Sequence, residues 1–212
     1  MLKVLGRVSS INVRKVLWTC AEIGVPYARE DWGTGFRPTS EPAFTALNPN
    51  ALVPVVIASD DDGGEFVLWE SNTICRWLAA EHGRSDLLPV APRERANVER
   101  WMDWQAGELN NAWRYAFMGL VRHSPQHQDP ARIEASAHEW NQRMAMLDAQ
   151  LQRSSGYVTG PDFTLADIVL GMSAHRWRSA PIDRPTLQAV DAWLTRLAER
   201  PPFVELALRG AP

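Results

Sequence analysis

The first eighty residues alternate between a two-residue and a 3.6-residue hydrophobic period. Leu2–Gly6 predicts a short strand. Ser10 is then placed as an N-cap for a helix over about Asn12–Gly24, with Val13, Val16, Leu17, Cys20 and Ile23 on one face. Gly24 is a natural stop, and Pro26 follows it. Tyr27–Asp31 predicts a second strand. Residues 32–47 hold Gly33, Gly35, Pro38 and Pro42, which allow a short helix at most. Val53–Ile57 and Phe66–Trp69 predict two more strands, joined through Asp60-Asp61-Asp62-Gly63-Gly64, a hairpin signal. Ser71–His82 predicts a helix ending at Gly83. The order β-α-β-α-β-β-α predicts a small mixed sheet, parallel across the first crossover and antiparallel across the last hairpin.

Beyond residue 83 the pattern changes. Residues 84–92, with Pro89 and Pro92, predict a linker, and after it only the helical period remains. Arg93–Val121 predicts one long helix with Val98, Trp101, Met102, Leu109, Ala112, Ala116 and Leu120 on one face. A second, about Pro130–Arg153, carries the stripe Ile133, Ala137, Trp140, Met144, Leu147 and Leu151. Thr164-Leu165-Ala166-Asp167 opens a third with a capping-box pair, and Thr186–Arg200 and Phe203–Leu208 predict two more. The fold class expected is thus an α/β domain over 1–83, a linker over 84–92 and an all-α domain over 93–212.

Composition narrows the class. The chain has 212 residues, 45% hydrophobic and 22% charged, as expected of a globular protein. A formal net charge of -3 gives no electrostatic footprint for nucleic acid or a membrane surface. No apolar run approaches the roughly 20 residues of a membrane span. Met1-Leu2-Lys3-Val4-Leu5-Gly6-Arg7 is too short and too charged for a signal peptide, so a cytoplasmic protein is expected. Cys20 and Cys75 sit among apolar helical neighbours and read as buried reduced thiols. Ten tryptophans are expected mostly in the core, and the five histidines have no metal-ligand spacing.

Two short motifs carry chemistry. In Asn48-Pro49-Asn50-Ala51-Leu52-Val53-Pro54-Val55-Val56 a proline interrupts a strand-like run. That is tolerable if Pro54 opens the strand after a cis bond, which turns Val53 toward a cleft. Val53 then offers its N–H and C=O to an extended peptide, as an added strand. Glu70-Ser71, at a strand-to-helix junction, suits the charged end of the same molecule. Together they point to a small, charged, peptide-like ligand.

Over its whole length the chain resembles the cytosolic glutathione transferases. The resemblance is carried by Asn48-Pro49 with Val53-Pro54, by Glu70-Ser71 heading a helix, and by Gly160-Pro161-Asp162-Phe163-Thr164-Leu165-Ala166-Asp167. It implies a thioredoxin-like N-terminal domain, an all-helical C-terminal domain, and glutathione as co-substrate with no further cofactor and no metal. Val53, before Pro54, would pair its backbone with the cysteinyl residue of glutathione, and Glu70 and Ser71 would hold the γ-glutamyl end. The Thr164–Asp167 box matches a folding element of the family. Serine-type members place the activating serine four residues before an arginine, as Ser10 stands before Arg14. A free thiol titrates near ~8.5, and a hydroxyl at a helix N-terminus can donate to the thiolate and favour it. Asn12 matches a position where some bacterial members use an asparagine near the sulfur, as a second donor or in place of Ser10. Ser10 as a plain helix cap, and Ser9 as a substitute, are the competing readings.

Departures from the family pattern sharpen the expectation. Ser10 stands where cysteine-type members have their thiol, and Arg7 near where tyrosine-type members have their phenol. Ser9-Ser10-Ile11 lacks the cysteine of maleylacetoacetate isomerase-like members. Ala51 and Leu52 lack the His or Lys that holds the glycyl carboxylate, which leaves Asn48, Asn50 or Arg37 for that end. An electrophile site is expected between the domains, with Trp104, Asn111, Trp113 and Tyr115 as lining candidates. The resemblance also implies a homodimer and a hydrophobic electrophile. The expected activity is conjugation of glutathione to an electrophile. Its rivals are a glutathione-dependent disulfide or peroxide oxidoreductase and a non-catalytic binding module.

Overall fold

The computed structural model describes residues 1–59 and 63–208. The expected hairpin loop thus lies partly outside the described residues, at Asp60, Asp61 and Asp62. Two compact units emerge. Among the described residues, one holds Met1–Leu88 together with residues 201–208, and the other holds Pro89–Arg200.

In the first unit, β1 (Leu2–Leu5), α1 (Ile11–Ile23), β2 (Tyr27–Glu30), α2 (Pro42–Thr45), β3 (Val55–Ser59), β4 (Glu65–Trp69) and α3 (Ser71–Glu81) follow the expected order. The four strands form one sheet in the order β2-β1-β3-β4. β1 runs parallel to β2 and antiparallel to β3, and β3 pairs antiparallel with β4. Side chains alternate across the sheet. Leu5 and Val55, paired in register, pack with Trp32 and Phe44 on the α2 side. Their neighbours Val4 and Val56, also paired and fully buried, therefore face the side where α1 and α3 pack together. Val13, Val16, Ile74, Cys75 and Leu78 are wholly buried there.

The strand expected over Val53–Ile57 begins two residues later, at Val55. Pro54 has no N–H to give a ladder, so pairing starts beyond it. The expected linker is partly core, because Leu87 and Leu88 are buried. The C-terminal segment also departs from expectation. α9 (Pro201–Phe203) and the π-helical Val204–Leu208 belong to the first unit, where Phe203 lies 5.1 Å from Trp18 of α1, ring centre to ring centre. Burying that aromatic pair holds the segment there.

The second unit contains α4 (Pro92–Trp104), α5 (Asn110–Leu120), α6 (Pro130–Ser154), α7 (Leu165–Ser179) and α8 (Gln188–Leu197). The single helix expected over Arg93–Val121 is interrupted by a π-helical segment, Gln105–Leu109. Buried Gln105 donates to Ser173 at 2.9 Å and to Asn110 at 3.0 Å. The capping box forms as expected: the Asp167 carboxylate accepts from the Thr164 N–H at 2.9 Å and from its hydroxyl at 3.2 Å. It also accepts from Val158 N–H at 2.9 Å and Trp193 Nε1 at 3.0 Å, tying the loop before α7 and α8 to one buried group. Burial pushes this carboxyl up from 3.8 to about 6, although those four hydrogen bonds pull it down.

Candidate active site

Strand register brings three separated segments to one end of the sheet. Leu5, the last residue of β1, pairs with Val55, the first of β3, and Val55 pairs with Trp69, the last of β4. The loop after β1, the turn before β3 and the start of α3 are therefore neighbours in that order. Two inter-strand spacings separate the outer pair, or ~10 Å. An extended tripeptide has about that length.

The first segment carries the candidate activating group. Ser10 is the N-cap residue of α1, in an extended conformation, and its hydroxyl makes no capping hydrogen bond. The cap reading is thus not where its side chain is spent. The loop before it is tightly held. Ser10 N–H donates to the Arg7 carbonyl at 3.1 Å, and Arg14 Nε donates to the Val8 carbonyl at 2.6 Å. Arg14 is buried, so it is an internal brace and not a surface charge. Asn12 sits half-buried in the first turn of α1.

In the second segment the Val53–Pro54 bond is cis, as expected. Among the described residues, no backbone hydrogen bond engages the Val53 N–H or C=O. Asn48 builds the approach to Val53. It is buried, its Nδ2 donates to the Leu52 carbonyl at 2.8 Å, and its Oδ1 accepts from Asn50 N–H at 3.0 Å. Asn50 is exposed, with its side-chain amide also on Asn48 Oδ1. Ala51 takes a φ of 54°, a left-handed turn position. Arg37 is committed elsewhere, paired with Glu41 at 2.7 Å and stacked 3.9 Å over Trp32.

The third segment is the N-terminus of α3. Its first intrahelical bond runs from Ile74 N–H to the Glu70 carbonyl at 2.9 Å, so the Ser71 N–H lies ahead of it, at a ready anion seat. Ser71 is buried and Glu70 exposed. Glu70 has a φ of 72° without being glycine, a conformation that costs about 1–3 kcal/mol and concentrates at ligand clamps. Directly beneath, Lys15 of α1 is buried and donates from Nζ to Asn72 Oδ1 at 3.3 Å. Lys15 went unassigned in the sequence reading, and Asn48, named there for the glycyl end, is instead buried and bonded to Leu52 and Asn50. A buried polar group leaves no periodic signal.

Neither cysteine contributes. Burial pushes the Cys20 thiol up to about 12 and the Cys75 thiol up to about 11, so neither supplies a thiolate at neutral pH. Among the described residues, no group of three or more His, Cys, Asp or Glu is gathered to hold a metal, and no helix is long and apolar enough to cross a membrane.

The electrophile candidates lie in the second unit and do not converge within it. Trp113 packs on Phe117 and Trp140 under the Arg176 guanidinium, while Tyr115 turns to His127 and Arg132. Two residues apart on a helix, these side chains point to nearly opposite faces. Trp104 is half-buried, edge-on to Trp101, and Asn111 is exposed.

A four-stranded mixed sheet flanked by helices, with the cis Val53–Pro54 turn between the Ser10 loop and the α3 N-terminus, is a thioredoxin-like domain. Residues 9–81 match the family model for the glutathione S-transferase N-terminal domain. Glutathione S-transferase GstB of Escherichia coli (strain K12) is 39% identical over 204 residues, 95% of each chain. A theta class glutathione S-transferase from Xanthomonas axonopodis pv. citri, solved with glutathione bound, superposes with a TM-score of 0.89 at 39% identity, covering 99% of this chain and 98% of that one. Disulfide-bond oxidoreductase YfcG of Escherichia coli (strain K12) is 30% identical, covering 90% of this chain and 86% of its own. The chain belongs to the glutathione S-transferase family.

Proposed function

We propose that this glutathione S-transferase is of the serine type, with Ser10 stabilising the glutathione thiolate. The observation that carries this reading is the Ser10 hydroxyl itself, uncommitted to a cap and held at the positive end of α1 by the Arg7 and Arg14 contacts. Glutathione lies extended across the sheet end. Val53 pairs with its cysteinyl backbone, Ser71 and the α3 N-terminus take the γ-glutamyl carboxylate, and Glu70 takes the ammonium. The glycyl end falls to Asn50, beside the Asn48 turn. Asn12 supplies a second donor to sulfur. The thiolate attacks an electrophilic carbon, forming the C–S bond as a halide leaves or as a double bond takes up the proton. Trp104 and Asn111, the candidates least committed to packing, serve the electrophile. The enzyme acts as a homodimer in the cytoplasm.

Steady-state conjugation of glutathione to an aryl halide tests the assignment. Holding the thiol pKa two units below its free value is worth ~2.7 kcal/mol. With a free value near ~8.5, losing that shift lowers the thiolate fraction at pH 7 by about 25-fold, so Ser10→Ala is expected to lower turnover by up to about that factor. If Ser10→Ala and Asn12→Ala both leave turnover unchanged, the serine-type reading fails. Turnover of a disulfide substrate with none of the aryl halide would favour the activity named for YfcG, which Asn12 in the first turn of α1 keeps in view.

A further inference from the structure

Val8, Ser9 and Ser10 lie in a surface turn that one buried side chain grips. The Val8 side chain is 44% exposed, and Ser9 and Ser10 are half-buried, so packing alone fixes little of their position. Arg14 is 4% exposed. Its Nε donates to the Val8 carbonyl at 2.6 Å, and its backbone N–H donates to the Ser10 carbonyl at 3.0 Å. One residue thus bonds both ends of the turn that carries the hydroxyl. The spacing makes this possible: helical side chains lean toward the N-terminus, which brings position 14 back over the turn before α1. A hydrogen bond from a guanidinium is shorter and roughly twice as strong as a neutral one. Placement matters at this point in the chain, because a shift of ~1 Å in a reacting group can cost about a hundredfold in rate.

We propose that Arg14 is a positioning residue for the thiolate: by holding the Val8 carbonyl it fixes the turn that aims the Ser10 hydroxyl at sulfur. It acts through the Nε hydrogen bond and through Ser10, not through its charge on the ligand. The inference rests on the serine-type reading above. It is tested by ultraviolet difference titration of the bound glutathione thiol in wild type, Arg14→Met, Arg14→Lys and Arg14→Gln, each also combined with Ser10→Ala. Folding is checked by circular dichroism. Glutamine places an amide N–H at the same bond distance from the backbone as Nε, without the charge. Lysine keeps the charge and moves the nitrogen one atom further out. The bound thiol is expected to titrate about one pKa unit higher in Arg14→Met and Arg14→Lys, and close to wild type in Arg14→Gln. Combined with Ser10→Ala, the Arg14 changes are expected to add nothing. A wild-type titration in Arg14→Met overturns the inference. So does a shift in Arg14→Gln as large as in Arg14→Met, which marks the charge as the agent, or an equal shift once Ser10 is absent, which a merely structural arginine would give. If Ser10→Ala alone leaves the bound thiol at its wild-type value, the serine-type reading itself falls, a result distinct from these. Should Arg14→Met not fold, Arg14→Lys against Arg14→Gln carries the same comparison.

Discussion

Gly6, between β1 and the Ser10 loop, offers a sharp test of how the fold builds its cleft. Its φ is +147°, and a Cβ added there would lie 2.5 Å from Val13 Cγ2 and 3.0 Å from Val53 Cβ. Carbon atoms pack at about 3.5–4.0 Å, so Gly6→Ala demands a shift of about 1 Å from at least one neighbour. Val13 is fully buried in the α1 face and has nowhere to go. The movement therefore falls on Val53, the residue proposed to pair with glutathione. The backbone conformation costs about 1–3 kcal/mol for a non-glycine residue, and overpacking adds ~1–3 kcal/mol. A loss of about 2–6 kcal/mol in unfolding free energy is expected, measured by urea denaturation. The KM for glutathione should rise more than the KM for the electrophile. A stability change below ~1 kcal/mol with an unchanged KM for glutathione would refute the claim that Gly6 exists to let α1 and Val53 approach.

Three other outcomes follow from buried groups. Asp167 binds its proton more tightly in the folded state, about 6 against 3.8, so its contribution to stability is full below about pH 4 and is lost as pH rises through about 6. The unfolding free energy of wild type minus that of Asp167→Asn should fall by about 3 kcal/mol across that window, and a flat or rising difference contradicts the assignment. Cys20 and Cys75 should resist a thiol reagent in the native enzyme near neutral pH and react only on unfolding; rapid labelling of either would show an accessible thiol. Asn48→Ala removes the bridge to Leu52 and Asn50 from a buried position, which is expected to cost ~1–3 kcal/mol and weaken glutathione binding. Unaltered binding would mean that the turn holds Val53 without Asn48.

α3 was legible because Ile74, Cys75, Leu78 and Ala79 bury one face and so impose a helical period on the chain, whereas β2 is exposed throughout and carries no such signal. Local sequence also singled out the candidate site. Pro54 cannot join a ladder, and Glu70-Ser71 stands where a strand becomes a helix. What escaped has no period. The π segment Gln105–Leu109 adds about one residue to a turn, rotating the following face by about 100° while both flanks still read as helix. That rotation is why a single stripe across residues 93–121 could not assign the aromatic side chains to one surface. Lys15 lies opposite the apolar face of Val13, Val16, Leu17 and Cys20 and reads locally as a solvated charge; its hydrogen bond to Asn72, 57 residues away, has no local sign. Glu70 adopts a positive φ with no glycine to announce it. Phe203 lies on a short apolar stretch with no local sign of which unit would receive it.

The most direct test of the central claim is the ionisation of glutathione on the enzyme. Ultraviolet difference titration of the bound thiol in wild type, Ser10→Ala and Asn12→Ala reads the group on which the proposed chemistry depends. The wild type should titrate about two pKa units below the free value of ~8.5, with Ser10→Ala returning most of the way to it. A bound thiol that titrates identically in all three proteins would contradict the account.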